Sequence, residues 1–179
     1  MSSSSARTAA RSLTVDEALE RILARVRILD SERVDLMEAL GLTLAEDVTA
    51  DRDVPPFRNS AMDGYAVRGS DVAAVPARLT VVGDIAAGAV PSRAIGAGEA
   101  MRIMTGAPMP DGADTVVRVE DTDNRTDAVT ITVATKPGTS VRAAGEDLKR
   151  GETILTVGMV LRPAELGVLA TMGDRKSVV

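Results

Sequence analysis

The stretch Asp51-Arg52-Asp53-Val54-Pro55-Pro56-Phe57-Arg58-Asn59-Ser60-Ala61-Met62-Asp63-Gly64-Tyr65-Ala66-Val67 holds both aromatic residues of the chain, together with two prolines, three aspartates and a glycine. Proline fixes the backbone, Asn59 and Ser60 favour local turn bonds, and Gly64 lets another part of the chain come close. Asp63 is therefore held among rigid neighbours, as a side chain with a chemical task must be. A packed turn in which Asp63 is only a turn acceptor accounts for the same residues, and both readings stand at this level. From Leu42 onward, ahead of this stretch, the chain changes character from a helical beginning to a β-rich middle.

Upstream of it, Thr14-Val15-Asp16-Glu17 is a capping box, in which a threonine oxygen and a glutamate three residues on satisfy each other's orphan amides. Val15, Ala18, Leu19, Ile22, Leu23 and Val26 follow at helical spacing, with Asp16, Glu20, Arg21 and Arg25 opposite, which predicts one amphipathic helix over 14–29. A shorter helical turn is expected over Leu36 to Leu40, closed by Gly41. Residues 1–12, with four consecutive serines, two arginines and no acid, read as a mobile tail.

Downstream, β-branched runs predict strands at Leu79 to Val82, Ala113 to Val119, Val129 to Val133 and Thr153 to Val160. Glycine and proline punctuate the intervals, at Gly88, Pro91, Gly106 to Gly112 and Lys136-Pro137-Gly138, which argues for an irregular β-rich module and against a doubly wound sheet. Pro163, then Glu165, Leu166, Leu169 and Gly173, supply the start, face and stop of a last short helix. The fold class expected is α+β in two lobes. A β-rich lobe, 46–144, is inserted into a small helical lobe made of 13–45 plus 145–174, with 175–179 as the C-terminal end.

Composition removes whole chemistries. The 179 residues contain neither histidine nor cysteine, so a Ser-His-Asp triad, a thiolate nucleophile, a disulfide and an ordinary zinc site are all excluded. A net charge of −5 with two aromatics leaves neither a basic footprint nor a stacking platform for nucleic acid. No apolar run approaches the ~18 residues of a membrane span, and the expectation is a cytoplasmic protein without membrane or nucleic-acid partners. What remains is carboxylate, hydroxyl, arginine and backbone-amide chemistry, which suits oxygen-ligated cations such as Mg2+ and the binding of oxyanions.

Two further segments fit that chemistry. In Arg102-Ile103-Met104-Thr105-Gly106-Ala107-Pro108-Met109-Pro110-Asp111-Gly112-Ala113-Asp114, an apolar strand runs into a loop where Thr105 and the Gly106 amide could donate to an oxyanion; a strand end followed by a Pro-Asp-Gly turn is the plainer account. In Gly145-Glu146-Asp147-Leu148-Lys149-Arg150-Gly151-Glu152, Asp147 could bind magnesium while Lys149 or Arg150 faces an anion, although a solvated charged turn reads the same way. The acidic run Glu46, Asp47, Asp51 and Asp53 is read as surface, and Met101, Met104 and Met109 as gap-filling core.

In order and in register, these segments resemble the N-terminal region of the molybdopterin molybdenumtransferase family, MoeA and the gephyrin E domain, whose pattern P-x-F-x-x-S-x-M-D-G-Y-A is met by Pro55 to Ala66. The likeness continues through Arg102 to Ala107, Pro110 to Asp114, Gly145-Glu146-Asp147 and Pro163 to Gly173. It implies an elongated homodimer that transfers molybdenum from molybdate into adenylylated molybdopterin, with Mg2+, at the end of molybdenum cofactor synthesis. It further implies that Asp63, Thr105 and Asp147 are catalytic, with Asp63 and Asp147 towards the metal. Ser60, Gly64, Gly106 and Glu146 are the expected substrate-binding positions beside them. Family members continue after Gly173 into a molybdopterin-binding α/β domain to which Asp174 to Val179 does not obviously lead, so the 179 residues alone are expected to be inactive. The gephyrin likeness also allows a non-catalytic dimerisation or scaffold module of the same fold.

Overall fold

The computed structural model describes residues 12–174 and 176–179; of the tail expected over 1–12, all but Ser12 lies outside them. In chain order the elements are α1 (Val15–Leu23), β1 (Arg33–Asp35), β2 (Val48–Thr49), β3 (Asn59–Ser60), β4 (Gly64–Val67), β5 (Ala77–Ile85), β6 (Glu99–Ile103), β7 (Thr115–Arg118), β8 (Ala128–Ile131), β9 (Val141–Arg142), β10 (Thr153–Leu155), α2 (Pro163–Thr171) and β11 (Lys176–Val178). The architecture is mixed α and β. A curled five-stranded sheet has the order β7-β4-β6-β5-β8, and three two-stranded pairs join β1 to β11, β2 to β10 and β3 to β9. Among the described residues only β5 and β6 pair in parallel.

All four residues of β4 are buried, because β6 and β7 flank it and both faces of the sheet are covered. Tyr65 and Val67 join Leu79, Ala100, Val117, Val129 and Ile131 on one face; Ala66 joins Ile85, Met101, Ile103 and Val116 on the other. A strand buried on both faces shows no alternation of apolar and polar residues. The sequence therefore reads there as a turn. Gly64 has a steric reason to be glycine: a Cβ on it would run into the backbone carbonyl of Val117 across the β4–β7 ladder.

The two ends of the chain share a core of their own, formed by Ala39, Leu44, Leu155, Leu161, Leu166 and Leu169. It is less helical than expected. Residues 36–41 form a turn, with Gly41 left-handed at φ +80, and the run from Thr153 is strand only to Leu155 before Gly158 turns the chain at φ +87. α1 begins at its capping box, where Thr14 N donates to Glu17 Oε2 at 3.0 Å and Glu17 N donates to Thr14 Oγ1 at 3.2 Å. It ends at Leu23 rather than at 29 and buries no residue. Helices shorter than about 12–15 residues gain little from propensity alone, and no packing on the apolar face of α1 carries it further. Among the described residues no helix is long and apolar enough to cross a membrane.

Joining the two regions is an antiparallel ladder. Residues 48–60 run outward against 141–155 returning, through β2–β10, the Val54–Leu148 bridge and β3–β9. Ala50 N donates to Glu152 O and Gly151 N to Ala50 O, each at 2.8 Å. The acidic run is partly built into this junction: Asp53 Oδ1 accepts from Arg150 N at 2.9 Å and Asp47 Oδ1 from Val157 N at 2.8 Å.

α2 has proline at its first turn and no Ser, Thr or Asp cap. Glu165 compensates, its Oε2 accepting from Arg162 N at 3.0 Å and its Oε1 from Arg162 Nη2 at 2.6 Å. These bonds, led by the guanidinium, hold the buried Glu165 carboxyl down at about 2. A depressed carboxylate contributes stability above its unfolded pKa and loses it as pH falls towards the folded value. Glu165→Gln is therefore expected to lower Tm at pH 7, with the gap to wild type closing between about pH 4.5 and about 2, as followed by thermal melts across that range.

Candidate functional site

β3 is the middle of three short extended segments. On one side Asn59 pairs with Arg142 and Ser60 with Val141. On the other, Ser60 N donates to Ala107 O at 3.0 Å, Gly106 N to Ser60 O at 2.8 Å and Met109 N to Arg58 O at 3.0 Å. The loops bearing Thr105 and Asp147 thus flank the strand that leads to Asp63. Ser60 Oγ closes the following turn, donating to Met62 O at 2.5 Å and accepting from Met62 N at 3.3 Å, and this turn presents Asp63 at the start of β4.

Asp63 is exposed and anchored through one oxygen. Its Oδ1 accepts from Thr105 Oγ1 at 2.6 Å and from Thr105 N at 2.7 Å. The hydroxyl bond first, then the amide bond, and then the nearby Arg102 charge hold its carboxyl below the ordinary aspartate range. Asp63 is therefore a carboxylate at neutral pH, an acceptor or ligand and not a proton donor. Both donors of Thr105 serve Asp63, and the Gly106 amide serves Ser60. The Thr105 hydroxyl and the Gly106 amide, which the sequence offered to an oxyanion, are thus both engaged within the chain, and Thr105 fixes Asp63.

Asp147 reaches the site because its own amide donates to Val54 O at 2.9 Å in the junction ladder. Its carboxylate is chelated by Arg142, whose Nη2 donates to Oδ1 and to Oδ2, both at 2.6 Å. Arg142 Nε donates to Glu146 Oε1 at 3.1 Å, and Glu146 Oε2 accepts from Ala143 N at 3.1 Å. Asp147 first, then Glu146, raise the guanidinium pKa further. The cation on Asp147 is thus Arg142. Lys149 and Arg150 are tied to the junction through their backbone amides, Lys149 N donating to Glu152 Oε2 and Arg150 N to Asp53 Oδ1.

Of the expected substrate-binding residues, Glu146 is exposed beside Asp147, whereas Ser60 and Gly64 are buried and hold the frame. Sequence reasoning missed Arg142, which carries no motif and enters only through the β3–β9 register. It also read Asn59 as a turn former. Asn59 is a strand residue, 6% exposed, and its Oδ1 is buried without a hydrogen-bond partner.

Among the described residues no group of three His, Cys, Asp or Glu gathers as a ready metal cage. Magnesium characteristically takes one or two carboxylates with water and phosphate oxygens completing the shell. Asp63 fits that requirement through Oδ2, which bonds to no other described residue. Asp147 fits it only after releasing Arg142.

A family model described as the MoeA N-terminal region (domain I and II) matches residues 13–173. The molybdopterin molybdenumtransferase 2 of Mycobacterium tuberculosis is 44% identical over 144 residues, covering 78% of this chain and 36% of its own length. That of Synechococcus elongatus is 41% identical over 168 residues, covering 90% and 42%, and that of Bacillus subtilis 38% over 169 residues, covering 90% and 39%. The crystal structure of a molybdopterin biosynthesis moeA protein from Pyrococcus horikoshii superposes at TM-score 0.86 with 36% identity, over 92% of this chain and 45% of that one. The chain thus spans less than half the length of each of these relatives. With the family model matching residues 13–173 and the fold superposing on a moeA structure, the chain belongs to the MoeA family, as its N-terminal region.

Proposed function

We propose that this chain supplies the front half of a molybdenum insertase, which transfers molybdenum from molybdate into adenylylated molybdopterin. The observation that supports it is the meeting, around β3, of the ionised Asp63 anchored by Thr105 and the Arg142-held pair Glu146 and Asp147. Asp63 Oδ2 faces outward as an acceptor for a water or a metal-bound substrate. Arg142 keeps two adjacent carboxylates from repelling an anionic substrate, and its guanidinium matches phosphate or molybdate oxygens. Magnesium held by Asp63 and the substrate's phosphate oxygens would supply charge neutralisation as the adenylate departs. The reading carries with it a homodimer, the cytoplasm as its setting, and a division into a β-rich domain and a domain built from both chain ends.

The test is a chimera in which this chain replaces the corresponding region of the Synechococcus elongatus relative. Molybdenum cofactor formation by the chimera, with none by the 179-residue chain alone, is the expected result. The alternative, a non-catalytic dimerisation or scaffold module of the same fold, is favoured by one feature: α1 exposes Val15, Leu19, Ile22 and Leu23. A chimera that dimerises normally yet forms no cofactor would establish that alternative.

A further inference from the structure

Asn59 Oδ1 is the one side-chain nitrogen or oxygen among the described residues that is buried with no hydrogen-bond partner. Leaving an amide oxygen in that state is costly, and folded proteins seldom do so without a reason. Its position in the ladder is informative. Asn59 lies directly opposite Arg142, and opposed residues of an antiparallel pair leave the ladder on the same face, with Cβ atoms about 4.5–5.5 Å apart. On its other flank Asn59 is bridged to Pro108, which has no amide hydrogen to offer.

Arg142 is the complementary case. Its Nε and Nη2 are bonded to Glu146 and Asp147, while Nη1 donates to no described residue, and a guanidinium has five N–H groups to place. A donor in excess and an acceptor without one therefore leave adjacent positions on one face. The carboxylate that now occupies the donor, Asp147, is itself exposed.

We propose that Asn59 is a positioning residue that gives Arg142 a second resting place. When the Asp147 carboxylate is claimed by substrate or its cation, the guanidinium turns inward onto Asn59 Oδ1. The release of Asp147 then strands no half-buried charge, and the orphaned oxygen gains its donor. This deepens the reading of the site and rests on Asp147 serving the substrate.

A stability cycle on the chain itself tests it without any molybdenum chemistry. Asn59→Leu alone is expected to leave Tm unchanged or to raise it by a few degrees, because it removes an unsatisfied oxygen and keeps the branching of the side chain. Asp147→Ala, which frees Arg142, should make Asn59 matter: Asn59→Leu in that background should lower Tm, by several degrees more than additivity allows. Effects that add to within about 1 °C, or a loss from Asn59→Leu that is equal in both backgrounds, would overturn the exchange.

Should the leucine variant not fold, the Nε–Hε signal of Arg142, assigned by its absence in Arg142→Lys, gives a second readout. In the Glu146→Ala/Asp147→Ala double variant, which removes both carboxylates now bonded to Arg142, it should stay protected from solvent exchange. Rapid exchange there would show the guanidinium released into water and would dispose of the proposal. Failure of either measurement leaves the insertase reading intact, whereas an inactive chimera leaves the cycle intact.

Discussion

Asp63→Asn in the active chimera is expected to reduce molybdenum cofactor formation by roughly 10²- to 10³-fold, the range seen when a preorganised electrostatic group is removed from a reaction centre. The substitution is close to isosteric. An asparagine oxygen can still accept from Thr105 N and Thr105 Oγ1, which anchor the aspartate at 2.7 and 2.6 Å, so the turn should survive and Tm should move little. What is lost is the charge at Oδ2. Thr105→Val separates anchoring from charge, since it deletes the bond that contributes most to holding the Asp63 carboxyl low and leaves the carboxylate in place. Its expected signature is an upward shift of the acid limb of the pH–rate profile, because Asp63 would then protonate at a higher pH than in wild type. Turnover by Asp63→Asn within threefold of wild type would remove Asp63 from the site.

Gly64→Ala should be strongly damaging. Its Cβ would meet the Val117 carbonyl, which belongs to the backbone of β7 and cannot swing aside as a side chain could. β4 lies between β6 and β7 with every residue buried, so relief requires parting a ladder that both sheet cores depend on. Overpacking of this kind costs about 1–3 kcal/mol where side chains can adjust and more where they cannot. A fall in Tm of roughly 10 °C or more follows for a chain of this size. Gly167→Ala provides the control. It lies in α2 with open space where the Cβ would go, and alanine in a helix interior is worth about 0.5–1 kcal/mol over glycine, so its Tm should rise. Thermal melts of both variants followed by circular dichroism would test the pair; an unchanged Tm for Gly64→Ala would mean that β7 yields more easily than its packing implies.

The elements legible in the sequence are those whose signals are local. The Thr14/Glu17 capping box, the Pro163 start of α2 and the left-handed glycines Gly41 and Gly173 each depend on a few neighbouring residues, and each lies where it was expected. β4 was not legible. A four-residue strand walled in on both faces has no period to detect, and its meaning comes from Ile103 and Val117 alongside it. The far end of α1 failed for the converse reason: the period continues to Val26, but nothing packs against it.

The site divides in the same way. Asp63, Thr105 and Asp147 stand in segments whose constraint is visible residue by residue, so the sequence was enough to single them out as candidates and, through the order and register of the segments, to name the family. Histidine-free and cysteine-free composition likewise limited the chemistry to carboxylates, hydroxyls and arginine before any fold was known. Only the tertiary structure decided how those groups are employed: Thr105 on Asp63, Gly106 on Ser60, Arg142 on Asp147, and Asn59 beside Arg142 with no partner. Those assignments depend on the pairing of β3 with segments about 45 and 80 residues away, a register set by cooperative packing of the whole sheet and encoded in no local run of residues.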